Sequence, residues 1–324
     1  MVLAAGLGTR LRPLTDRLPK PLVPLLNRPL VERPLALLRA AGVTEVVLNL
    51  HHLPDALPAA LGDGGGLGLQ LSYSREEGEL LGTGGGVARA ADWLTGADSP
   101  GAAGHARTFL VLNGDAVVEV DLRAVVAAHL AAGVLATLVL RADSGGRFPP
   151  LEHDGAGRLL SIPAAAAGPG AEHPSAPAAR AAGAARRAMF TGVHVVEPAA
   201  LAALPRGGAA CLLRQGYGPL LAAGARFGAY VLPETAFFSD VGTAAAYLGC
   251  SRALLSGGEG PGPLVDPTAS VAAGAAIDAG TTVAARARVA AGVRLRGCIV
   301  WPDTAVAADH DDAILAPDLM VDVR

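Results

Sequence analysis

An α/β chain in two parts is the fold class this sequence predicts: a doubly wound, mostly parallel sheet over residues 1–255, a linker at 256–263 and a short parallel β-helix over 264–324. Three observations carry it. Residues 2–5, 31–41 and 43–50 read as strand, helix and strand, the opening of a doubly wound sheet. Apolar runs of strand length then alternate with helix-length stretches as far as residue 255. Beyond residue 264 the period changes: Val265, Val271, Ile277, Val283, Val289 and Leu295 are spaced by six, with Gly274, Gly280 and Gly292 in phase.

Taken in order, residues 2–5 form a short apolar run ending in Gly6 and Gly8. In 31–41 the apolar positions Leu35, Leu37, Leu38 and Ala41 share one helix face, and Gly42 stops the helix. Residues 43–50 are a buried strand; His51 and His52 after it could each touch a ligand, although such a pair is more often structural. A glycine-rich turn at 62–68 leads into a strand at 69–73, and a glycine run at 82–86 precedes a helix expected over 87–94. Residues 99–104 are linker-like. The strand at 108–112 ends in Asn113-Gly114-Asp115; a helix at 122–132, a strand at 134–140 and a strand and turn at 148–159 follow. Residues 164–188 are mostly alanine, glycine and proline and are expected to form a mobile loop. The sheet resumes at 190–196, followed by a helix at 212–223, a strand at 227–232 and a helix at 244–255. In the six-residue repeat each aliphatic side chain points inward and each hexad makes one face. Near Val300 and Val306 the frame slips by one, which predicts a bulge or a terminal cap.

Composition sets bounds on function. A chain of 324 residues can bury roughly three-quarters of its unfolded surface. With 51% hydrophobic but only 4% aromatic residues, the core must be mostly Ala, Leu and Val. The net charge of −3 argues against a nucleic-acid partner, so any anion site must be local. Cys211, Cys250 and Cys298 are widely spaced and odd in number, with no zinc spacing, which suggests a reducing compartment. Without a leader-like start or an apolar run of membrane length, the expectation is a cytoplasmic protein with no membrane partner.

The local anion site is visible in the first thirty residues. Gly6 and Gly8 let the backbone turn sharply and bring bare N–H groups to a ligand, and Arg10 and Arg12 add charge directly behind. Of 26 Lys plus Arg, only Lys20 is a lysine. A lone lysine between Pro19 and Pro21 suggests a point charge on a flexible stem, as a phosphate contact needs. Two familiar glycine loops are excluded: Leu11 stands where a dinucleotide fingerprint needs its third glycine, and no Gly-Lys-Ser/Thr follows for a Walker A loop. Asp115 lies at the end of an apolar strand, where open parallel sheets bind ligands, although an ordinary Asx turn also fits it.

The spaced set Gly6-Leu7-Gly8-Thr9-Arg10, Pro13-Leu14-Thr15 and Pro19-Lys20-Pro21 resembles the signature of the sugar-phosphate nucleotidyltransferases, or nucleotide-sugar pyrophosphorylases, of the mannose-1-phosphate guanylyltransferase type. The resemblance implies residue roles. Ala4, Ala5, Gly6, Gly8 and Thr9 would contact the nucleotide, the Gly6 to Thr9 backbone with Arg10 at its β- and γ-phosphates, and Gly82, Thr83, Gly84 and Gly85 would contact it on its base side. Arg10, Lys20 and Asp115 would be catalytic; Asp115, with Asp240 of Asp240-Val241-Gly242-Thr243, would hold Mg²⁺. Thr191 and Gly192 match a segment that commonly reads Asn-Ala-Gly beside the sugar. The six-residue repeat resembles the left-handed β-helix that caps many such transferases, which leaves a structural cap, a homo-oligomer contact and an effector surface as its open roles.

Implied substrates are a nucleoside triphosphate and a sugar 1-phosphate, joined with release of pyrophosphate. Leu80 stands where uridylyl and thymidylyl members often carry a base-reading glutamine, which favours GTP with mannose 1-phosphate. The Thr83-Gly84-Gly85-Gly86 run is shared with uridylyltransferases acting on N-acetylmuramate 1-phosphate, so a UTP-dependent reaction is the alternative. The Glu-Lys-Pro that carries the sugar-phosphate lysine in many relatives is missing. Arg186 or Arg187 is expected to replace its charge when the 164–188 loop closes. Without that lysine a non-catalytic, nucleotide-sugar-binding regulatory relative is a further reading, and an acetyltransferase using His310 is another.

Overall fold

The computed structural model describes residues 1–96, 107–142, 146, 148–162, 185–205, 207–259 and 262–323. The linker-like stretch at 99–104 lies outside these residues. By compactness the chain forms two units: Met1–Gly6 with Pro34–Phe238, and Leu7–Arg33 with Ser239–Arg324.

The first unit is built on a mixed sheet. Its strands run Gln70–Arg75, Glu45–Leu50, Val2–Leu3, Phe109–Asn113, Arg186–Val196, Ala136–Arg141 and Gly228–Val231, and the pair Leu151–His153 and Leu159–Ser161 joins the start of Arg186–Val196. Val2–Leu3 pairs in parallel with both neighbours, Val2 opposite Leu48 and Leu112, and Glu45–Leu50 pairs in parallel with Gln70–Arg75. Both faces of these strands are covered, so their sequences are near-continuous hydrophobic runs; Val46, Val47, Leu48 and Leu50 are all buried. Arg186–Val196 is antiparallel to both Phe109–Asn113 and Ala136–Arg141, which makes the sheet mixed.

Helices cover the sheet where the apolar period expects them. Glu32–Ala40 buries Leu35 and Leu38. Leu122–Ala132 matches its expected range because its ends are chemically marked: the Asp121 carboxylate accepts from the Arg123 and Ala124 N–H groups, and Gly133 closes it with φ +57°. The helix expected at 87–94 is different. It begins at Gly82, runs to Arg89, and a second short helix follows at Ala91–Thr95. The glycine run is therefore the first turns of a helix rather than a loop before one. Packing explains this: a Cβ on Gly84 would lie 2.9 Å from Leu204 Cδ2 and Leu212 N, and one on Gly85 would lie 2.6 Å from the Gly208 carbonyl. Close approach of backbone to helix offsets the low helix propensity of glycine.

The expected loop at 164–188 also needs correction. Residues 163–184 lie outside the described residues, but Arg186, Arg187 and Ala188 belong to the Arg186–Val196 strand, opposite His153, Glu152 and Leu151. Arg187 Nε stands 3.5 Å from Glu152 Oε1. These arginines are held by strand pairing, so they are not carried by a closing loop.

In the second unit, three parallel ladders stack the six-residue repeat. Leu264–Val265, Thr282–Val283, Ile299–Val300 and Ala313–Ala316 form one; Ser270–Val271, Arg288–Val289 and Ala305–Val306 the second; Ala276–Ile277, Arg294–Arg296 and His310–Asp311 the third. Leu264 pairs with Thr282, Thr282 with Ile299 and Ile299 with Ile314, so successive coils take 18, 17 and 15 residues. The frame slip is this shortening. Val283, Val289, Leu295, Val300, Val306 and Leu315 fill the interior, and Leu319–Asp322 folds back antiparallel on Ala313–Ala316 to end the stack.

Helix Ala244–Leu254, with the Thr243 hydroxyl accepting from Ala246 N–H, packs in the same unit. The expected linker at 256–263 is partly helical, since a wide turn at Leu255–Glu259 continues the helix. The hairpin of Pro24–Leu25 and Arg28–Pro29 joins them: Asn27 Nδ2 donates to the Leu264 and Val283 carbonyls, and the buried Tyr247 hydroxyl donates to the Pro24 carbonyl and accepts from Trp301 Nε1.

Candidate functional site

The second unit assembles the cationic loop. Gly8 sits in the left-handed region at φ +62° and starts the 3-10 turn Thr9–Leu11. Its carbonyl accepts from Leu11 N–H and from the buried Thr15 hydroxyl at 2.9 Å, which ties the two halves of the motif together. A Cβ on Gly8 would approach within 2.8 Å of Thr15 Cγ2 and 3.3 Å of Lys20 Cβ, so only glycine fits there. Thr9 and Arg10 are exposed. Lys20 is only 6% exposed, and its Nζ donates to the Asp240 carbonyl at 3.0 Å. The Asp240 carboxylate faces outward toward Arg10, whose Nη2 lies 3.8 Å away. Residues 220 positions apart in sequence thus form one cluster of an ammonium, a guanidinium, a carboxylate and a turn of backbone. Such a cluster binds anionic oxygens.

The first unit carries the remaining candidates, of which residues 4–6 and Asp115 follow the carboxyl ends of parallel strands. Ala4 and Ala5 are buried and Gly6 is exposed as the chain leaves Val2–Leu3. Gly114 N–H donates to the Leu3 carbonyl at 2.8 Å, and Asp115 follows, half-buried. Gly192 lies at φ +88° in a register shift of the Arg186–Val196 strand; a Cβ there would meet Asn113 Nδ2 at 2.6 Å. Thr191, expected beside the sugar, turns its side chain into the sheet, where the hydroxyl donates to the Val139 carbonyl at 2.8 Å. Only its backbone is left for a ligand. Thr83 is exposed at the start of the Gly82–Arg89 helix, and its hydroxyl accepts from Leu212 N–H at 2.9 Å. Gly82 lies half-buried at φ +67°, whereas Gly84 and Gly85 are buried in the packing already described.

Asp115 and Asp240 offer hard carboxylate oxygens of the kind Mg²⁺ takes one or two at a time, with substrate phosphates completing its shell. Among the described residues no group of three or more His, Cys, Asp or Glu stands together.

Two polar residues escaped sequence reading. Asn49 and Glu76 are 3% and 5% exposed and are bonded to each other at 2.7 Å. A polar Asn inside the apolar 43–50 run was the available signal.

Comparison with known proteins shows which family the chain resembles. A family model described as nucleotidyl transferase matches residues 1–159. A mannose-1-phosphate guanylyltransferase from Mycobacterium tuberculosis is 30% identical over 319 residues, covering 95% of this chain and 81% of its own. A UTP–glucose-1-phosphate uridylyltransferase from Synechocystis is 30% identical over 64% of this chain, and an N-acetylmuramate α-1-phosphate uridylyltransferase from Neisseria meningitidis is 42% identical over 38%. The chain spans about half the length of these two relatives, 51% and 49%. Among solved structures, HddC from Yersinia pseudotuberculosis complexed with GMP-PN superposes with a TM-score of 0.58 at 22% identity, covering 78% of this chain and 97% of that one. A putative glucose-1-phosphate thymidylyltransferase from Bacillus anthracis gives 0.58 at 19%, covering 77% and 92%. The end-to-end relationship with the mycobacterial protein, on a chain that gathers the glycine loop, Arg10, Lys20 and Asp240 into one cluster, establishes that this protein belongs to the sugar-phosphate nucleotidyltransferase family.

Proposed function

We propose that this chain transfers a nucleoside monophosphate from a nucleoside triphosphate to a sugar 1-phosphate, and that the pair is GTP and mannose 1-phosphate. The observation that carries the reading is Lys20, an almost fully buried ammonium held by the Asp240 carbonyl with exposed Arg10 beside the same aspartate. Burying that charge is costly, and a transferred phosphoryl group is a reason to keep it. GTP is supported by the length of the alignment with the mycobacterial guanylyltransferase and by Leu80 in place of a base-reading glutamine.

In the reaction a sugar-phosphate oxygen forms a bond to the α-phosphorus as the α–β bridging bond breaks, and pyrophosphate leaves with the electron pair. The attacking phosphate is already ionised at neutral pH, so no protein nucleophile is required; repulsion between polyanions is the obstacle. Arg10 and the Gly6 to Thr9 backbone would cradle the β- and γ-phosphates, Ala4 and Ala5 would be further nucleotide contacts, and Lys20 would bridge toward the α-phosphate and the incoming sugar phosphate. Asp115 and Asp240 are the residues that would hold Mg²⁺, which would supply charge neutralisation of the phosphates when bound. Gly82, Thr83, Gly84 and Gly85 border the base, and the backbone of Thr191 and Gly192 borders the sugar.

The same reading takes the stacked coils as a left-handed β-helix of hexapeptide repeats that caps the enzyme and joins copies of it, in a cytoplasmic setting suggested by the odd, widely spaced cysteines. A second reading, UTP with a hexose or N-acetylmuramate 1-phosphate, is favoured by the 42% identity to the Neisseria uridylyltransferase. Pyrophosphate release with Mg²⁺ across GTP, UTP, dTTP, CTP and ATP and a panel of sugar 1-phosphates separates them. GTP with mannose 1-phosphate should be the productive pair, and Asp115→Ala should abolish its turnover. Nucleotide-sugar binding without turnover for any pair would replace both readings with that of a regulatory relative.

A further inference from the structure

The first unit contains a buried polar chain that links two backbone segments. Asn49 stands opposite Leu3 in the sheet, and its Oδ1 accepts from Ala4 N–H at 2.7 Å, where the chain leaves the strand for the glycine loop. Asn49 Nδ2 donates to Glu76 Oε1 at 2.7 Å, and Glu76 Oε2 accepts from Leu81 N–H at 2.9 Å, one residue before the Gly82–Arg89 helix. Glu76 is held in turn by its own backbone, whose N–H donates to the Leu50 carbonyl at 2.7 Å. Gly86 closes the space above: a Cβ there would sit 2.7 Å from Asn49 Nδ2 and 2.8 Å from Glu76 Oε1.

The hydrogen-bond polarity of this chain leaves no freedom. Both ends are backbone donors, so the two side chains between them must supply three acceptors and one donor. An amide plus a carboxylate does this; two amides always leave one donor facing another donor, whichever way they flip. A buried carboxylate fed by two N–H donors is retained at a desolvation cost, which is hard to explain by stability alone.

We propose that Asn49 and Glu76 are a positioning pair for the nucleotide: they set the separation between Ala4, at the start of the phosphate-side loop, and Leu81, at the start of the base-side helix. The inference rests on the nucleotidyltransferase reading. Neither side chain touches substrate. Each holds backbone that does, and a nucleoside triphosphate spanning the two segments is bound well only when their spacing is fixed in advance.

Polarity swapping tests it. Asn49→Ala and Glu76→Gln should each raise KM for the nucleoside triphosphate by about tenfold while kcat stays within about threefold and KM for the sugar phosphate stays unchanged. Amide hydrogen exchange should change crosswise. Glu76→Gln should speed exchange in the peptide containing Ala4, which Glu76 does not touch, and Asn49→Ala should speed it in the peptide containing Leu81. The double variant Asn49→Asp/Glu76→Gln restores three acceptors and one donor and should recover both exchange and KM. Wild-type KM in the single variants, exchange changes confined to the segment each side chain touches, or a double variant worse than either single one would overturn the proposal. Wild-type protein that turns over no substrate pair would refute the transferase reading, and the crosswise exchange would still decide whether the pair couples the two segments.

Discussion

Lys20 and Gly192 show how individual residues tie sequence to chemistry here. Replacing Lys20 with alanine removes the charge that the loop is folded around, and we expect kcat to fall by about 100-fold or more with little change in the unfolding midpoint. Near-normal pyrophosphate release would take Lys20 out of the mechanism. Lys20 was legible because the sequence uses arginine everywhere else. Gly192 was legible only as a motif match. Its positive φ and the 2.6 Å approach to Asn113 Nδ2 appear only in the folded sheet, and they predict that Gly192→Ala costs about 2 to 4 kcal/mol in urea denaturation. The direction of the Thr191 side chain was hidden for the same reason. One-dimensional alignment cannot say whether a hydroxyl turns toward a ligand or toward Val139.

Elements with chemically marked ends, such as Leu122–Ala132 with Asp121 and Gly133, could be read residue by residue. The Gly82–Arg89 helix could not, because glycine is unfavourable in a helix until neighbouring backbone requires its absence of side chain. The Arg186–Val196 strand carries a pH-sensitive residue. His194 is buried between Phe190 and Tyr217, its Nδ1 makes no hydrogen bond, and burial pushes its pKa down to about 3. In the unfolded chain the same imidazole titrates near its ordinary value of 6.5. Between these values the unfolded state binds a proton that the folded state refuses, so stability should fall as pH drops below about 6.5, by up to about 1.4 kcal/mol per pH unit. Urea denaturation at several pH values checks this. Replacing His194 with leucine should flatten the acid limb, and an unchanged slope would assign the loss to other groups.

For the molecule as a whole, the coils share a compact unit with the glycine loop, although well over 200 residues separate them in sequence. Asn27 is bonded to the first coils, and Tyr247 links Trp301 to Pro24. The coils therefore support the hairpin that follows Lys20. Truncation after Gly258 removes Trp301 and both carbonyl partners of Asn27 while leaving every proposed catalytic residue in place. We expect it to abolish turnover and to open the bonds after Arg10 and Arg17 to trypsin. A truncated protein with full activity and an uncut loop would show that the support is dispensable.

The sequence by itself determined the local features: the anion loop, the lone lysine, the alternation of strand and helix, and the six-residue repeat. Each of these is written in spacing and residue type over a few neighbouring positions. Tertiary structure alone decided which distant groups meet. It brought the Asp240 carbonyl to Lys20, turned Thr191 into the sheet, pressed Gly84 and Gly85 against the backbone at 208 and 212, and joined Ala4 to Leu81 through Asn49 and Glu76. The physical reason is that buried polar groups must find partners, and those partners are supplied by packing between strands and turns far apart in the chain.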